Sequence, residues 1–246
     1  MSRAFEQLDH RSTPMGDISL RRRLEPTLGV DVWEVKLGDE FLMSSLFTTG
    51  EEAVAHLGLA ALGGVTLAGH PLDVVVGGLG LGHTAWAALQ DQRVGTLHVI
   101  EALEAVIAWH RTGLVPLGAT LDADPRCRFV HADFFATIAD GLPFGPGATH
   151  VVDAILVDID HTPSYLLNPS HGGFYRPAGI RKLLDRLRPG GVFALWSDLE
   201  PNAAFLAVLV DEFATAIAEI VTFPNFYTGD DASSTVYVAT TSSPVR

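Results

Sequence analysis

The sequence is poor in cysteine and in basic residues. Cys127 is the only cysteine among 246 residues, so no disulfide can form within the chain. A lone thiol is typical of proteins from reducing compartments, and we expect a cytoplasmic location. Lysine and arginine number 16 against 29 aspartates and glutamates, which gives a formal net charge of −13. Because this charge repels phosphate backbones, we expect no nucleic-acid partner.

We also expect neither a signal peptide nor a membrane-spanning run. Residues 1–17 contain no apolar stretch of the kind that a signal peptide needs. The longest apolar run, residues 57–82, is interrupted by His70, Pro71 and Asp73, so we expect core structure and no membrane partner. Hydrophobic residues make up 48% of the chain and charged residues 18%. This balance excludes wholesale disorder, and the length predicts one large domain with at most a small appendage.

Residues 17–45 have the signals of β-strands. Side chains around Trp33 and Val35 follow an alternating pattern, and Gly38 begins a tight turn. We predict a small antiparallel unit of two or three strands. This short N-terminal β-hairpin unit is assigned to residues 1–49 and is too short to be stable alone.

From residue 50 onward, short apolar runs alternate with helical patterns. The predicted strands are residues 72–76, 97–100, 128–130, 151–157, 192–196, 217–223 and 235–239, and the predicted helices lie near 84–89, 103–107, 134–139, 175–187 and 205–213. Such alternation predicts a doubly wound, Rossmann-like α/β domain with a mostly parallel sheet over residues 50–246. Only a loop separates the last two strands, which predicts a hairpin and an antiparallel C-terminal edge strand.

A glycine-rich turn follows the first strand of this predicted sheet. Gly78, Gly80 and Gly82 let the backbone turn sharply and approach a ligand closely. The position of the turn between a strand and a helix favours nucleotide binding over a turn that merely needs positive φ. Glu101 ends the next strand, about 20 residues after the turn, where a carboxylate can accept two ribose hydroxyls. The alternative for Glu101 is a solvated acid at a helix start.

Two further strand ends carry acids. Asp133 follows the third strand, where it can bind an adenine amino group, cap the next helix, or do both. Asp158 follows the fourth strand, where a carboxylate can accept a proton or hold a cationic amine. The nearby Asp160 and Pro163 also favour a turn. Asp160 and His161 are locally suggestive of a metal site, but no further ligand spacing supports one, and we expect no metal.

Several segments together resemble the spermidine synthase group of polyamine aminopropyltransferases, a branch of the class I S-adenosylmethionine-dependent methyltransferase fold. The segments are VVVGGLGLG, VIEALEAVIAWHR, FVHADFF, DAILVDID and the pair FY…LRPGGVFALW, within a similarity that spans residues 38–239. The resemblance implies that Gly78, Gly80 and Gly82 line the amino-acid side of a bound nucleoside. It also implies that Glu101 binds the ribose, that Asp133 binds the adenine, and that Asp158 is the catalytic aspartate.

The chain differs from that family on the side of the site that binds the amine. The family's Asp-x-x-Asp-Pro stretch is altered, so that the second acid is Asp160. The family's Tyr-Gln-Glu stretch is replaced by residues 47–52, and Trp196 stands where glutamine is common. Tyr175 matches the end of the loop that closes over the polyamine. By resemblance, Asp160, Tyr175 and Trp196 are the candidate substrate-binding residues.

The resemblance implies a transferase of the kind used in polyamine biosynthesis. It would move an alkyl (aminopropyl) group from an S-adenosyl sulfonium nucleoside, either S-adenosylmethionine or its decarboxylated form, to a small-molecule amine. Acids suit this chemistry, because one can take the proton of the amine and others can anchor a distant ammonium. The alternatives are an S-adenosylmethionine-dependent small-molecule methyltransferase and a non-catalytic nucleoside-binding relative. A homodimer formed through the β unit also stays open.

Overall fold

The computed structural model describes residues 5–63 and 70–243, so parts of the predicted units 1–49 and 50–246 and of the run 57–82 lie outside the described residues. The strands are β1 Phe5–Thr13, β2 Gly16–Glu25, β3 Val30–Leu37, β4 Glu40–Ser44, β5 Leu72–Gly77, β6 Val94–Glu101, β7 Cys127–His131, β8 Val152–Val157, β9 Leu187–Ser197, β10 Thr215–Asn225 and β11 Asp230–Thr240. The helices are α1 Thr49–Ala61, α2 His83–Gln90, α3 Glu104–Arg111, α4 Gly118–Ala123, α5 Phe134–Ala139, α6 Pro177–Leu184 and α7 Ala203–Glu212.

The N-terminal unit is a four-stranded antiparallel sheet in the order β1-β2-β3-β4. The turn at Gly38 joins β3 to β4, as predicted. The prediction of two or three strands was wrong because it missed β1. This strand lies at the edge of the sheet and has no fully buried residue, so its sequence lacks an apolar alternation. The inward side chains Ile18, Leu20 and Val35 belong to the core that also covers the larger sheet.

The larger sheet has seven strands in the order β10-β11-β9-β8-β5-β6-β7. Its inner strands pair in parallel, whereas β11 runs antiparallel to both β9 and β10. The predicted mostly parallel sheet with an antiparallel C-terminal edge is therefore confirmed. The chain leaves β5 toward β6 on one side and returns to β8 on the other. This reversal makes the neighbouring ends of β5 and β8 the topological switch point, where ligands of such sheets bind.

Both faces of the sheet are covered, which explains the nearly continuous apolar sequence of its central strands. Along β5, Val74 and Val76 belong to one core cluster and Val75 to the other. In β8, Leu156 and Ile155 divide between the two clusters in the same way. Side chains of a strand alternate between its faces, so each strand contributes to two cores. Both strands are therefore packed on two sides up to the switch point.

The predicted helix at residues 175–187 and the strand after it need correction. The helix α6 ends at Leu184, and β9 begins already at Leu187. Pro189, Gly190 and Gly191 do not stop a helix, because the pairing of β9 with β8 shifts register across them. They form a bulge inside the strand, and the N–H of Gly190 donates to the Ser242 carbonyl at 2.9 Å. The six-residue helix α4 was also not predicted.

Candidate active site

Two neighbouring cavities lie at the carboxyl ends of β5, β6 and β8. The larger has a volume of about 190 Å³ and its wall includes Gly78, Gly80, Glu101, Asp133 and Asp158. The smaller has a volume of about 70 Å³ and its wall includes Glu51, Gly80, Gly82, Asp158 and Trp196. Gly80 and Asp158 line both, so the two cavities form one site with two compartments. The structure thus brings most of the predicted site residues together.

The glycine turn closes the end of β5 against the end of β8. Gly78 has a φ of +92°, and a Cβ built on it would lie 2.1 Å from the carbonyl oxygen of Asp158. No side chain fits in that space, so a glycine is required there. Gly80, with a φ of +50°, faces Met43 of the N-terminal sheet. Gly82 precedes the first residue of α2.

Glu101 lies in the wall of the larger cavity and is 8% exposed. Its carboxylate accepts hydrogen bonds from the backbone N–H groups of Leu79, at 3.0 Å, and Leu103, at 2.8 Å. Burial raises the pKa of Glu101, and these two N–H donors oppose the rise. The carboxylate therefore ties the glycine turn to the end of β6. A carboxylate can accept about four hydrogen bonds, so these two leave Glu101 able to accept the ribose hydroxyls as predicted.

Asp133 caps the following helix, which is one of the two roles that the sequence leaves open, and its contact with an adenine stays a prediction. Its side chain accepts a hydrogen bond from the N–H of Ala136 at 3.1 Å and so caps α5. It also lines the larger cavity. The helix that it caps carries Phe134, which is buried and contributes to the same cavity wall.

Asp158 lies at the junction of the two cavities. The Thr84 hydroxyl is 3.1 Å from its Oδ2 and 3.0 Å from the Glu51 carbonyl oxygen, and it can donate its one proton to either acceptor. Burial raises the pKa of Asp158 to about 6, and the hydrogen bond from Thr84 opposes the shift. A carboxylate with such a pKa can exchange a proton near neutral pH.

Glu51 is a site residue that the sequence analysis did not identify. It lines the smaller cavity with Asp158, and its Oε2 is buried without a hydrogen-bond partner among the described residues. Burial raises the pKa of Glu51 to about 9, and the charge of Asp158 adds to the shift. The charge of either carboxylate opposes the ionisation of the other. Between the two pKa values, the pair therefore holds one proton.

The sequence offered only a weak signal for Glu51. Glu51 and Glu52 both come at the start of α1, where acids are favoured by the helix dipole. In the structure, the Glu52 carboxylate accepts a hydrogen bond from the Thr48 hydroxyl at 2.9 Å, whereas Glu51 turns into the cavity. Only the packing of α1 against the sheet distinguishes the two.

Asp160 and Tyr175 do not line either cavity. Both are buried, and the Tyr175 hydroxyl donates a hydrogen bond to the Asp160 Oδ2 at 2.8 Å. The same carboxylate binds Nδ1 of His171 at 2.8 Å, and His171 does line the larger cavity. This geometry therefore favours an indirect role for Asp160 and Tyr175, through His171, over direct contact with a substrate. The sequence analysis missed His171, which lies in a short 3₁₀ turn, Pro169–Gly173, without a recognisable motif.

Trp196, near the end of β9, lines the smaller cavity as a candidate substrate-binding residue should. The indole has room because residue 50 is glycine, since a Cβ on Gly50 would lie 2.5 Å from the indole Nε1 of Trp196. His83 forms another part of this wall, and burial lowers its pKa. A neutral imidazole there leaves the carboxylates of Glu51 and Asp158 without a cationic partner on that wall.

An outer groove continues from the smaller cavity through His161, which lines both. The His161 Nε2 is 3.2 Å from the Glu40 Oε1, and the Tyr165 hydroxyl donates to the same oxygen at 3.0 Å. Asp198 also lines this groove. Acidic groups therefore extend from the smaller cavity to the surface.

Within residues 5–63 and 70–243, one group of three side chains has the spacing of a metal site: His70, Asp73 and Asp153, whose ligand atoms lie within 4.8 Å of one another. The guanidinium of Arg188 is 2.7 Å from Asp73 and 2.8 Å from Asp153, so it already neutralises these carboxylates. That the activity needs no metal stays a prediction. Among the described residues, every helix is too short or too polar to cross a membrane.

The sequence matches no protein-family profile and no curated protein. Solved structures are similar in fold: a spermidine synthase from Thermotoga maritima has a TM-score of 0.70 at 16% identity, covering 95% of this chain and 72% of its own. A spermidine synthase in complex with the transition state analogue AdoDATO has a TM-score of 0.71 at 16% identity, with 95% and 73% covered. Human methyltransferase-like protein 13 in complex with SAH has a TM-score of 0.51 at 17% identity, with 80% and 81% covered. The chain therefore has the methyltransferase-like fold that its sequence predicts.

Proposed function

We propose that the protein is a transferase that moves an alkyl group from an S-adenosyl sulfonium nucleoside to an amine. The observation that carries the proposal is the position of Asp158 at the junction of two cavities, one suited to a nucleoside and one lined by acids. The fold is shared with solved structures that hold AdoDATO or SAH. In this proposal, the reacting carbon lies at the junction.

The wall of the larger cavity supports binding of the nucleoside. Its apolar part includes Leu103, Val106 and Phe134, which suit the faces of a base. Glu101 and Asp133 supply carboxylate oxygens for the ribose hydroxyls and the adenine amino group, respectively. The backbone of the glycine turn then approaches the sulfonium side of the ligand.

The charge of the smaller cavity favours the decarboxylated nucleoside and aminopropyl transfer. Near neutral pH the pair Glu51 and Asp158 carries one negative charge, which attracts a sulfonium and an ammonium and repels the carboxylate of S-adenosylmethionine. The acids of the outer groove, Glu40 and Asp198, suit the distant ammonium of a diamine. The acceptor that fits this series of charges is a small, extended amine with more than one nitrogen.

The reaction needs one proton acceptor. In its ionised form, Asp158 takes a proton from the ammonium of the acceptor, and the neutral nitrogen then attacks the carbon bound to sulfur. The new C–N bond forms as the C–S bond breaks, and the sulfur leaves as a neutral thioether. Proximity of the two reactants in adjoining cavities supplies much of the acceleration.

A small-molecule methyltransferase is the second candidate. The observation that favours it is the start of α2 at the smaller cavity, where Gly82 and His83 lie in the wall. Free N–H groups at a helix start bind carboxylates, and S-adenosylmethionine carries one. In this reaction only a methyl group would move.

Product analysis distinguishes these functions. Incubation with putrescine and decarboxylated S-adenosylmethionine is expected to give spermidine and methylthioadenosine. Formation of S-adenosylhomocysteine from S-adenosylmethionine would instead establish methyl transfer. Nucleoside binding without turnover for a panel of amines would identify a non-catalytic relative.

A further inference from the structure

The wall of the larger cavity contains a histidine, His171, whose contacts fix both its orientation and its tautomer. The residue is 6% exposed, and its ring stacks on Phe135 with a centroid distance of 3.9 Å and an interplanar angle of 24°. Its Nδ1 lies 2.8 Å from the Asp160 Oδ1. One face and the Nδ1 edge of the imidazole are therefore occupied. The rest of the ring contributes to the cavity wall.

The Asp160 carboxylate is completely buried and is surrounded by donors. Its Oδ1 accepts the N–H of Leu167 at 2.7 Å, and its Oδ2 accepts the hydroxyl of Tyr175 at 2.8 Å. A carboxylate that accepts these two bonds serves as the acceptor for His171 as well, so Nδ1 carries the proton. In the neutral ring, Nε2 is then an acceptor. No residue within 5–63 or 70–243 forms a hydrogen bond with Nε2.

We infer that His171 determines specificity for the nucleobase, with Nε2 accepting an N–H of the exocyclic amine of adenine. Asp160 and Tyr175 are positioning residues that act through His171. This inference rests on the proposed function, because it assumes that the larger cavity holds the nucleoside. Asp160 and Tyr175, which the sequence assigns to the amine, thereby act on the nucleoside side.

The aromatic end of the cavity is the reason for choosing the base over the ribose or the sulfonium. Phe135, which stacks on His171, belongs to the helix that Asp133 caps, and both line this cavity. Glu101 suits the ribose, and Asp158 lies at the junction with the smaller cavity. An exocyclic amine has two N–H groups, so Asp133 and His171 can each accept one.

A base with an oxo group in place of the 6-amino group would put an acceptor oxygen opposite Nε2 of His171, which is itself an acceptor. Wild-type protein should therefore bind methylthioadenosine more tightly than methylthioinosine, since a buried acceptor without a donor is costly. In His171→Phe, the ring keeps its stacking on Phe135 but has no nitrogen. The ratio of the two Kd values should fall about five- to tenfold, which is the factor for one neutral hydrogen bond.

The experiment measures both Kd values by calorimetry for wild type, His171→Phe and Asp160→Ala. His150→Phe is the matched control, because His150 is exposed and lies outside the walls of both cavities. Asp160→Ala should also lower the ratio, because Nδ1 then loses the carboxylate acceptor that fixes its proton. If His171 and Asp160 had a purely structural role, their variants would bind both nucleosides more weakly by the same factor. The ratio of the two Kd values would then be unchanged. Thermal unfolding of each variant checks that it is folded.

An unchanged ratio in folded His171→Phe would overturn this inference and leave the proposed function intact. If that variant does not fold, an unchanged ratio in folded Asp160→Ala has the same meaning. Wild-type protein that is folded but binds neither nucleoside would overturn the proposed function, and the inference with it.

Discussion

At the scale of single residues, the proposed chemistry depends first on Asp158. Replacing it by asparagine should lower kcat at least a hundredfold and change nucleoside affinity little, because the lost interaction is with a proton in transfer. Steady-state kinetics and calorimetry on the same preparation check both quantities. Asp140→Asn, at an exposed position, is the matched control. Near-normal turnover in Asp158→Asn would remove this residue from the mechanism.

Glu101 should affect binding more than turnover. Glu101→Ala is expected to raise the Kd for methylthioadenosine by ten- to a hundredfold, since two hydrogen bonds to an ionised group are lost. Glu104→Ala changes the same residue type at an exposed position of α3 and should leave the Kd unaltered. Equal affinities of the two variants would mean that Glu101 only supports the glycine turn.

Glu51 should make stability depend on pH. Its folded pKa of about 9 is raised above the ordinary 4.5, so the folded state keeps a proton that the unfolded chain releases. The contribution to stability is complete below about pH 4.5 and is lost progressively as the pH rises to about 9. Glu51→Gln removes this loss, so its free energy of unfolding relative to wild type should rise by about 1 kcal/mol per pH unit from pH 6 to 8.

Urea unfolding at several pH values measures this difference. Glu200→Gln, at an exposed site, should show no such trend relative to wild type. A flat difference for Glu51→Gln would mean that burial does not raise the pKa of Glu51 in the folded protein.

Sequence reasoning identified those site residues whose location follows from the order of strands. Glu101, Asp133 and Asp158 each come at the end of a parallel strand, and such ends meet at one edge of a sheet. Glu51 and His171 lie on elements whose orientation depends on packing over many residues, so periodicity gives no signal for them. Their roles became visible only from burial and hydrogen bonds.

At the scale of elements, the sequence predicts the strands whose burial leaves a local pattern and misses features that depend on long-range pairing. The buried strands β5 and β8 can be predicted from their continuous apolar runs, because both of their faces are covered. The edge strand β1 has no such signal. In β9, the Pro-Gly-Gly run favours a stop locally, but pairing with β8 and β11 carries the strand past it. Long-range pairing here overrides a local preference.

The turn after β5 offers a test of how tightly the site is built. In Gly78→Ala, the new methyl group would collide with the backbone of Asp158, so we expect a loss of stability on the order of 3 kcal/mol and loss of nucleoside binding. Gly29→Ala is the matched control, because its φ is +68° but a Cβ there meets nothing within 4 Å. It should cost about 1 kcal/mol and leave binding unchanged. Thermal unfolding and calorimetry measure both effects, and equal costs would contradict the close approach.

At the scale of the whole molecule, the N-terminal sheet completes the site. Met15, Leu42 and Met43 of this sheet and its turns line the larger cavity, and the latter two also line the smaller one. The net charge of −13 attracts cationic ligands over distances comparable with the Debye length. Both features suit a site where a cationic nucleoside and a cationic amine would have to meet.

The central claim is that this site binds an S-adenosyl sulfonium nucleoside, and calorimetric titration of the wild-type protein tests it most directly. We expect binding of decarboxylated S-adenosylmethionine and of methylthioadenosine. S-adenosylmethionine should bind more weakly, because its carboxylate would face the negative charge that Glu51 and Asp158 share. Folded protein that binds none of these three ligands would contradict the account.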